Sequence, residues 1–589
     1  LRSSLRRLKR FGGLDFVVLP VVDSCRNSST IRLGEYHDAS GDETLPETRK
    51  AIRAIPGAAN TGRAPGLPSP TGRRLTITRR SRDRISLVER PNPPKQTIDM
   101  NQTRLFALLL LALAGMPALR IDAQQRAETQ RPNIVWIFVE DMNDWFGCYG
   151  DDTVPTPHID ALAERGVRFD RAYMPAGVCS ATRSAIATGA MQTSLDIHNH
   201  RSSRQRVPAE VIHLPDGVKT VYQLMREAGY FVTTQGMNKN DFNFLFDGEE
   251  LYDQQGGKML PGLWRNRREG RPFFAQIQLR GGKHAFHLRG NRRTDPDAVS
   301  VAPYYADHPA IREQYAKHYD TIRITDREVG RIINALGEDD LLDDTIIFFW
   351  TDHGMQLHRH KQWLYEGGIR VPFIVAGPER FKRHRIVPGS VRSDLVSGID
   401  ITATTLALAG IGIASPLPWL EGRDLFDDDF AARDYVISAR DRCDYTIDRV
   451  RAVTTRNFKY LRNYKTDRTL MQPQYRDGRP YIEAERVLFR QGRLTDAQAF
   501  KWQARMPEEL YGLESDPHET RNLANDPAYS EVVAEHRAIL EKWIQETDDR
   551  GQYPESIDSL RGVLKRWNKQ AVNPEFEKAR EVIENEEES

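Results

Sequence analysis

The chain has 589 residues, 39% of them hydrophobic and 28% charged, a globular balance with enough material for a large domain and a smaller one. The formal net charge of +2 hides an uneven spread: residues 1–99 hold 19 Lys/Arg against 10 Asp/Glu, and residues 100–589 hold 65 against 72. A mildly acidic body without a basic stripe argues against nucleic acid as a partner, and four cysteines with no CxxC spacing exclude a disulfide-stapled scaffold.

In chain order, residues 1–99 are rich in Arg, Ser, Pro and Gly and show no sustained hydrophobic period, so they read as a non-globular leader from a misplaced start. Residues 100–123 read as a secretory signal: Met100, a positive Arg104, an apolar run from Leu105 to Ala114, and a small Ala123 at the cleavage point. That run is too short to span a bilayer. The expected location is therefore exported, periplasmic or secreted, with no stable membrane insertion.

The body begins at Pro132. NIVWIFVED (133–141) is a β-branched and aromatic run that ends in two acids, a buried strand with polar groups at its carboxyl end. HIDALAERG (158–166) has helical spacing with a glycine stop, and residues 182–187 read as the start of another helix. Further strands are predicted at 230–234, 273–279, 345–350 and 371–375, and helices at 311–337 and 398–409. This alternation predicts an α/β/α sandwich with a mostly parallel central sheet over residues 132–432. Ligand groups in such sheets gather beyond the carboxyl ends of the strands, and two predicted strands end there in Glu140-Asp141 and Asp352-His353.

After residue 433 the pattern changes. Segments 434–441, 450–464 and 508–517 predict antiparallel strands, and 528–549 an amphipathic helix, giving a smaller C-terminal α+β domain over 433–550. Residues 551–589 form a charged tail, with 570–589 expected as solvated helix or coil.

CSATRSAIATG (179–189) is the central motif. A cysteine at a helix start feels the positive end of the dipole, and Arg183 lies one turn on, so the thiolate is favoured. On spacing alone, a nucleophilic cysteine and a buried structural cysteine both remain open. Cys148 and Cys443 either pair or stay as free thiols.

The motif resembles the sulfatase signature C-x-P/A-x-R followed by T-G, with Cys179, Arg183, Thr188 and Gly189 in place. RPNIVWIFVEDMNDWFGCYG, TPHIDALAERGVRFDRAY, TDHG, KQWLYEGGIRVPFIV and EELYGLESDPHETRNLA also look like that family, in its order, over roughly residues 132–550. In motif style the chain is similar to the heparan N-sulfatase and iduronate 2-sulfatase-like members. The resemblance implies an alkaline-phosphatase-like fold and a sulfuric ester hydrolase acting on sulfated carbohydrate. It also implies conversion of Cys179 to formylglycine by a formylglycine-generating or anaerobic sulfatase-maturating enzyme. It implies Ca²⁺ or Mg²⁺ held by Glu140, Asp141, Asp352 and His353, with residue 179 adding an oxygen.

Hard cations take oxygen ligands and act as Lewis acids, and positive side chains clamp the anionic ester. By resemblance the clamps are Arg183, Lys361 (four residues before Tyr365-Glu366) and Lys239 in GMNKNDFNF. His284, after the PFF strand, aligns with a catalytic histidine, with Lys283 and His287 as neighbours that could take its role. Two positions depart from the family: Glu140 is longer than the usual Asp, and Asp241 replaces a histidine. His358 and His360 are expected to line the site, whereas the dense spacing of His198 and His200 leaves a metal open beside the favoured reading of exposed histidines. The readings weighed against this one are a phosphodiesterase or phosphonate monoester hydrolase of the same superfamily, and a non-catalytic glycan-binding relative with unmodified Cys179.

Overall fold

The computed structural model describes residues 131–200, 212–236, 240–256, 261–286, 294–378, 386–412 and 416–588. The leader (1–99), the signal segment (100–123) and Lys239 lie outside them. Thirteen strands occur among the described residues: β1 Asn133–Val139, β2 Gly166–Tyr173, β3 Phe231–Gly236, β4 Gln254–Gly256, β5 Phe273–Leu279, β6 Thr345–Thr351, β7 Arg370–Ala376, β8 Ser390–Arg392, β9 Val396–Ser397, β10 Tyr435–Arg440, β11 Val450–Thr455, β12 Phe458–Asn463 and β13 Glu508–Gly512. The helices that matter below are α1 Pro157–Glu164, α2 Cys179–Thr188, α3 Val221–Glu227, α4 Pro309–Glu338, α5 Asp400–Leu408, α6 Pro480–Arg490, α7 Ser530–Thr547, α8 Ile557–Trp567 and α9 Pro574–Glu588.

The large sheet has the order β4-β3-β5-β1-β6-β7-β2-β8, with β9 also paired to β2. Only β7 runs against the rest: its pairings with β6 and β2 are antiparallel, and the others are parallel. β1 lies in the middle and is buried along its whole length. Its alternate residues serve two cores. Val135, Ile137 and Val139 pack with Ile311, Tyr315, Ile322 and Val329 of α4, whereas Ile134, Trp136 and Phe138 pack with residues of α2, α3 and α5 on the other face. This period of two, buried on both faces, makes the strand read as a continuous apolar run. Burial of each large side chain here contributes on the order of 1.5–3 kcal/mol. The α/β/α sandwich and the mostly parallel sheet are as expected.

Register sets the site. Val139 of β1 lies opposite both Thr351 of β6 and Leu279 of β5. Glu140-Asp141, Asp352-His353 and the turn after β5 therefore leave the sheet side by side. That turn runs so close to β1 that a Cβ on Gly281 or Gly282 would fall 2.2 Å from the Glu140 carbonyl oxygen or 2.0 Å from that of Asp141. Gly281 also has φ +50°, which glycine adopts without the Cβ penalty.

β10-β11-β12-β13 form a separate antiparallel sheet. Val533, Leu540 and Trp543 of α7 pack on its Val453, Tyr460 and Leu510. The acidic tail, expected as solvated helix or coil, forms α9, largely exposed but packed along one face. Phe576 and Ala579 of α9 are buried with Leu560 and Val563 of α8 against Tyr445 and Ile447. Arg468 reaches Glu575 at 3.1 Å, and Asn573 accepts from the Ile447 amide at 2.9 Å.

A buried ion pair ties the loops flanking the small sheet. Arg505 Nη1 and Nη2 lie 2.6 and 3.0 Å from the Asp448 carboxylate, and Arg440 lies 3.3 Å from it. Burial works against the charged carboxylate, but Arg440 and Arg505 outweigh it and draw the Asp448 pKa down to about 2. A folded value below the unfolded one of roughly 3.9 gives stability that is present above the unfolded pKa and is lost as pH falls toward the folded value. Asp448→Asn should cost about 3–5 kcal/mol by leaving the arginines unpaired. Thermal melts should show a clearly lower Tm for the variant at neutral pH. Its melts should also lack the part of the wild-type loss of stability that arises between about pH 4 and pH 2. An unchanged Tm would contradict the assignment.

Candidate active site

The site lies beyond the carboxyl ends of β1, β5 and β6. Asp141 turns out of the sheet with φ +52°, a left-handed conformation that Asp tolerates better than most residues. Its amide donates to Asp352 Oδ1 at 3.0 Å, which locks the two strand ends together. Ligand atoms of Glu140, Asp141 and Asp352 all lie within 4.8 Å of one another, and so do those of Cys179, Asp352 and His353. All five residues are buried.

Cys179 opens α2 from an extended Val178, and no side chain caps the helix. The first-turn N–H groups and the helix dipole thus favour negative charge at residue 179. Its Sγ lies 3.3 Å from Asp241 Oδ2. Arg183 is one turn further on and shares the same face. Its Nη2 contacts Glu140 Oε1 and lies 3.0 Å from Asp352 Oδ2, with the guanidinium stacked 4.5 Å over the Phe138 ring.

Two lysines complete the charge pattern. Lys361 Nζ lies 2.9 Å from Asp141 Oδ1. Burial disfavours its charge, but the Asp141 carboxylate outweighs burial and holds the pKa well above the ordinary lysine value. Lys283 Nζ contacts Glu140 Oε2 and lies 4.0 Å from Asp141 Oδ1. Burial and then the like charge of Lys361 push its pKa down, and the Glu140 carboxylate in direct contact is what holds the ammonium charged.

The donor set fits a divalent cation. His353 Nδ1 lies 2.8 Å from the Gly354 carbonyl, which can only accept, so Nδ1 carries the proton. Nε2 faces Asp141 Oδ1 (3.3 Å) and Asp352 Oδ1 (3.6 Å), where its lone pair could join these oxygens on a shared cation. A carbonyl behind the imidazole is the support a metal-ligating histidine uses. His353 Nε2 and Asp141 Oδ2 are buried without a hydrogen-bond partner. Oxygen-rich donors suit Ca²⁺ or Mg²⁺.

Several sequence expectations change. His284 does not reach the acids: its Nε2 lies 3.4 Å from Glu328 of α4, and its neighbour Lys283 takes the place at Glu140. His287 and Lys239 lie outside the described residues. His358 and His360 are buried in a supporting network and do not line an open site. His358 Nε2 lies 2.7 Å from Glu485 of α6, and His360 bridges Asn143 (2.9 Å) and the Tyr304 hydroxyl (3.0 Å). Nor are His198 and His200 exposed: His198 is buried and His200 half-buried.

Sequence reading named His200 and Asp241 separately but did not bring them together, nor find Asp444. His200 Nδ1 lies 3.1 Å from Asp444 Oδ1, and the ring also belongs to a group with Cys179 and Asp241 whose ligand atoms lie within 4.8 Å of one another. Burial opposes protonation of His200, but Asp444 and then Cys443 outweigh it and raise its pKa well above the usual value. The crowded DIHNH and DRCDY segments were the only signal. The described cysteines Cys148, Cys179 and Cys443 are all free thiols. Burial, followed by the charge of Asp160, pushes Cys148 up to about 12. Cys443 accepts from Gln362 Nε2 at 2.7 Å.

Buried carboxylates at two adjacent parallel strand ends, three cations around them and a helix-initial cysteine define an anionic-ester hydrolase of the alkaline-phosphatase-like architecture. Residues 132–411 match the sulfatase family model. The chain is 30% identical over 497 residues to an ulvan-active sulfatase of Formosa agariphila, covering 76% of this chain and 79% of that one. It is 25% identical over 477 residues to human N-sulphoglucosamine sulphohydrolase, covering 71% and 90%. A sulfatase-fold crystal structure from Bacteroides thetaiotaomicron matches with a TM-score of 0.53 at 19% identity, over 72% of this chain and 94% of that one. The chain belongs to the sulfatase family, and it is a hydrolase of sulfuric ester or sulfamate bonds.

Because Lys283 reaches the acids and His284 does not, the two variants should separate. Lys283→Met should lower kcat on an aryl sulfate by about two orders of magnitude, the scale of one lost preorganised cation. His284→Ala should leave kcat near the wild-type value, because its ring contacts Glu328 of α4 and not the acids. The reverse order would contradict this geometry.

Proposed function

We propose that the protein removes sulfate from a sulfated carbohydrate, with residue 179 as formylglycine and a divalent cation, Ca²⁺ or Mg²⁺, held by Glu140, Asp141, Asp352 and His353. The observation that carries this reading is the convergence of Cys179, two pairs of strand-end ligands and Arg183, Lys361 and Lys283 on one sheet edge. Relatives named for ulvan and for N-sulphoglucosamine support carbohydrate as the substrate class. Formylglycine would supply a hydrated aldehyde oxygen as nucleophile, and the cation would supply Lewis acidity at the sulfate oxygens.

The chain's own residues do the rest. Three carboxylates exceed the charge of one divalent ion, so the acids alone would repel an anionic ester. Arg183, Lys283 and Lys361 turn the edge into an anion-binding pocket and act most strongly as charge builds on the leaving oxygen. Arg183 holds residue 179 and the acids in one frame. Asp241, with His200 close by, lies against residue 179 and can accept a proton from it. Lys239 joins this set by resemblance to the family's lysine.

We further propose that the protein is exported to the periplasm or secreted, and that a formylglycine-generating or anaerobic sulfatase-maturating enzyme acts on Cys179 as its partner. Among the described residues no helix is long and apolar enough to cross a membrane. No role for nucleic acid is proposed.

Mass spectrometry of the peptide spanning residue 179, from protein co-produced with a maturation enzyme, should show formylglycine. Cys179→Ser should lose nearly all turnover on aryl sulfate, because a plain hydroxyl cannot release sulfate by collapse to an aldehyde. A preparation active on aryl sulfate with wholly unmodified Cys179 would overturn the reading, and faster turnover of aryl phosphate would favour the phosphoryl-transfer alternative. Exhaustive chelation should abolish turnover, with recovery on adding Ca²⁺ or Mg²⁺. Elemental analysis showing no divalent metal in an active preparation would count against the cation.

A further inference from the structure

The loop that carries Lys361 has an uncommon backbone. Arg359 (φ +67°) and Gln362 (φ +77°) both lie in the left-handed region, and neither is a residue that prefers it. Such a conformation persists only where the surroundings over-determine it. Several groups do so here, and one side chain, Arg476, reaches four residues of the loop.

Arg476 belongs to the C-terminal part of the chain and is 1% exposed. Its Nη1 donates to the carbonyl oxygens of Gln356 and Leu357, the latter at 3.4 Å. Nη2 donates to the carbonyl of Lys361 itself at 3.2 Å and to Gln362 Oε1 at 2.5 Å. Nε and Nη2 are anchored on Gln474 Oε1 at 2.9 and 2.6 Å. All these acceptors are neutral amide oxygens, so what the guanidinium supplies is a fixed fork of donors; an ammonium offers no such fork. The brace extends further. The Gln362 amide donates to the Gly177 carbonyl at 2.6 Å, two residues before Cys179, and its side chain donates to Cys443 Sγ.

We propose that Arg476 is a positioning residue for Lys361: its guanidinium clamps the 356–362 loop so that the ammonium is held on Asp141, beside residue 179. The proposal rests on the reading of Lys361 as an anion-binding group of the active site. Arg476 makes no contact with Glu140, Asp141 or Asp352 among the described residues, and acts through the loop alone. The C-terminal region thereby contributes to turnover in a way that no motif in the catalytic region discloses.

A double-mutant cycle on the full chain tests it, with an aryl sulfate as probe and rates normalised to the formylglycine content of residue 179. Lys361→Ala should lower kcat by roughly two to three orders of magnitude. Arg476→Lys keeps the charge but loses the fork. It should lower kcat about tenfold or more with KM within about twofold, the signature of an interaction made in the transition state. Because Arg476 acts through Lys361, adding Arg476→Lys to Lys361→Ala should cost nothing further. If the two losses multiply, the clamp is refuted and the Lys361 reading stands. If Lys361→Ala retains the wild-type kcat, the Lys361 reading fails and takes the clamp with it. Should Arg476→Lys not be recovered folded, Gln474→Leu removes the anchor of the guanidinium, and the same non-additivity with Lys361→Ala is expected.

Discussion

The structure depends on the need to bury three carboxylates within one small volume. Glu140, Asp141 and Asp352 are carried together by the register of β1 against β6, and none can reach solvent. At about 4 Å and an effective dielectric near 20, each like-charged pair repels by about 4 kcal/mol. Such a cluster survives only with positive charge placed among its members. Arg183 from α2, Lys283 from the turn after β5 and Lys361 from the loop after β6 therefore converge on these three carboxylates, and the His353 ring is oriented toward them. The charge excess that makes the cluster costly to fold is what makes it a site for a cation and for an anionic ester.

That constraint explains the local backbone. Asp141 accepts a left-handed conformation in order to face Asp352. Gly281 and Gly282 lack side chains because the turn carrying Lys283 must run directly over the end of β1. Phe138, the last apolar residue of β1 facing α2, is sandwiched between the stacked Trp350 ring and the Arg183 guanidinium, so the aromatic core continues into the charged site without a gap.

The C-terminal region is part of the same device. Arg442 makes a bidentate pair with Glu555 and also donates to the carbonyls of His200 and Asp444, which holds the His200–Asp444 contact close to Cys179. Arg476 holds the Lys361 loop from the same side. Buried polar contacts of this kind are weak evidence for added stability, and they are better understood as fixing one arrangement among many. The two sheets thus divide the labour: the parallel one presents the acids, and loops attached to the antiparallel one fix the groups opposite them.

Much was determined by the sequence alone. The alternating strand and helix segments, the two acid-terminated strands, the helix-initial Cys179 and its one-turn spacing to Arg183 are properties of single segments, and periodicity and local spacing report on single segments. The resemblance to sulfatases also rests on such local blocks. Only the tertiary structure decided which of Lys283 and His284 faces Glu140, because one residue of rotation in a short turn exchanges them. It alone brought His200, Asp444 and Arg476 to the site, since they lie on loops with no period and join the site through long-range packing. The same holds for the acidic tail, whose few apolar residues, Phe576 and Ala579 among them, find a core only when Tyr445 and Ile447 are folded beneath them.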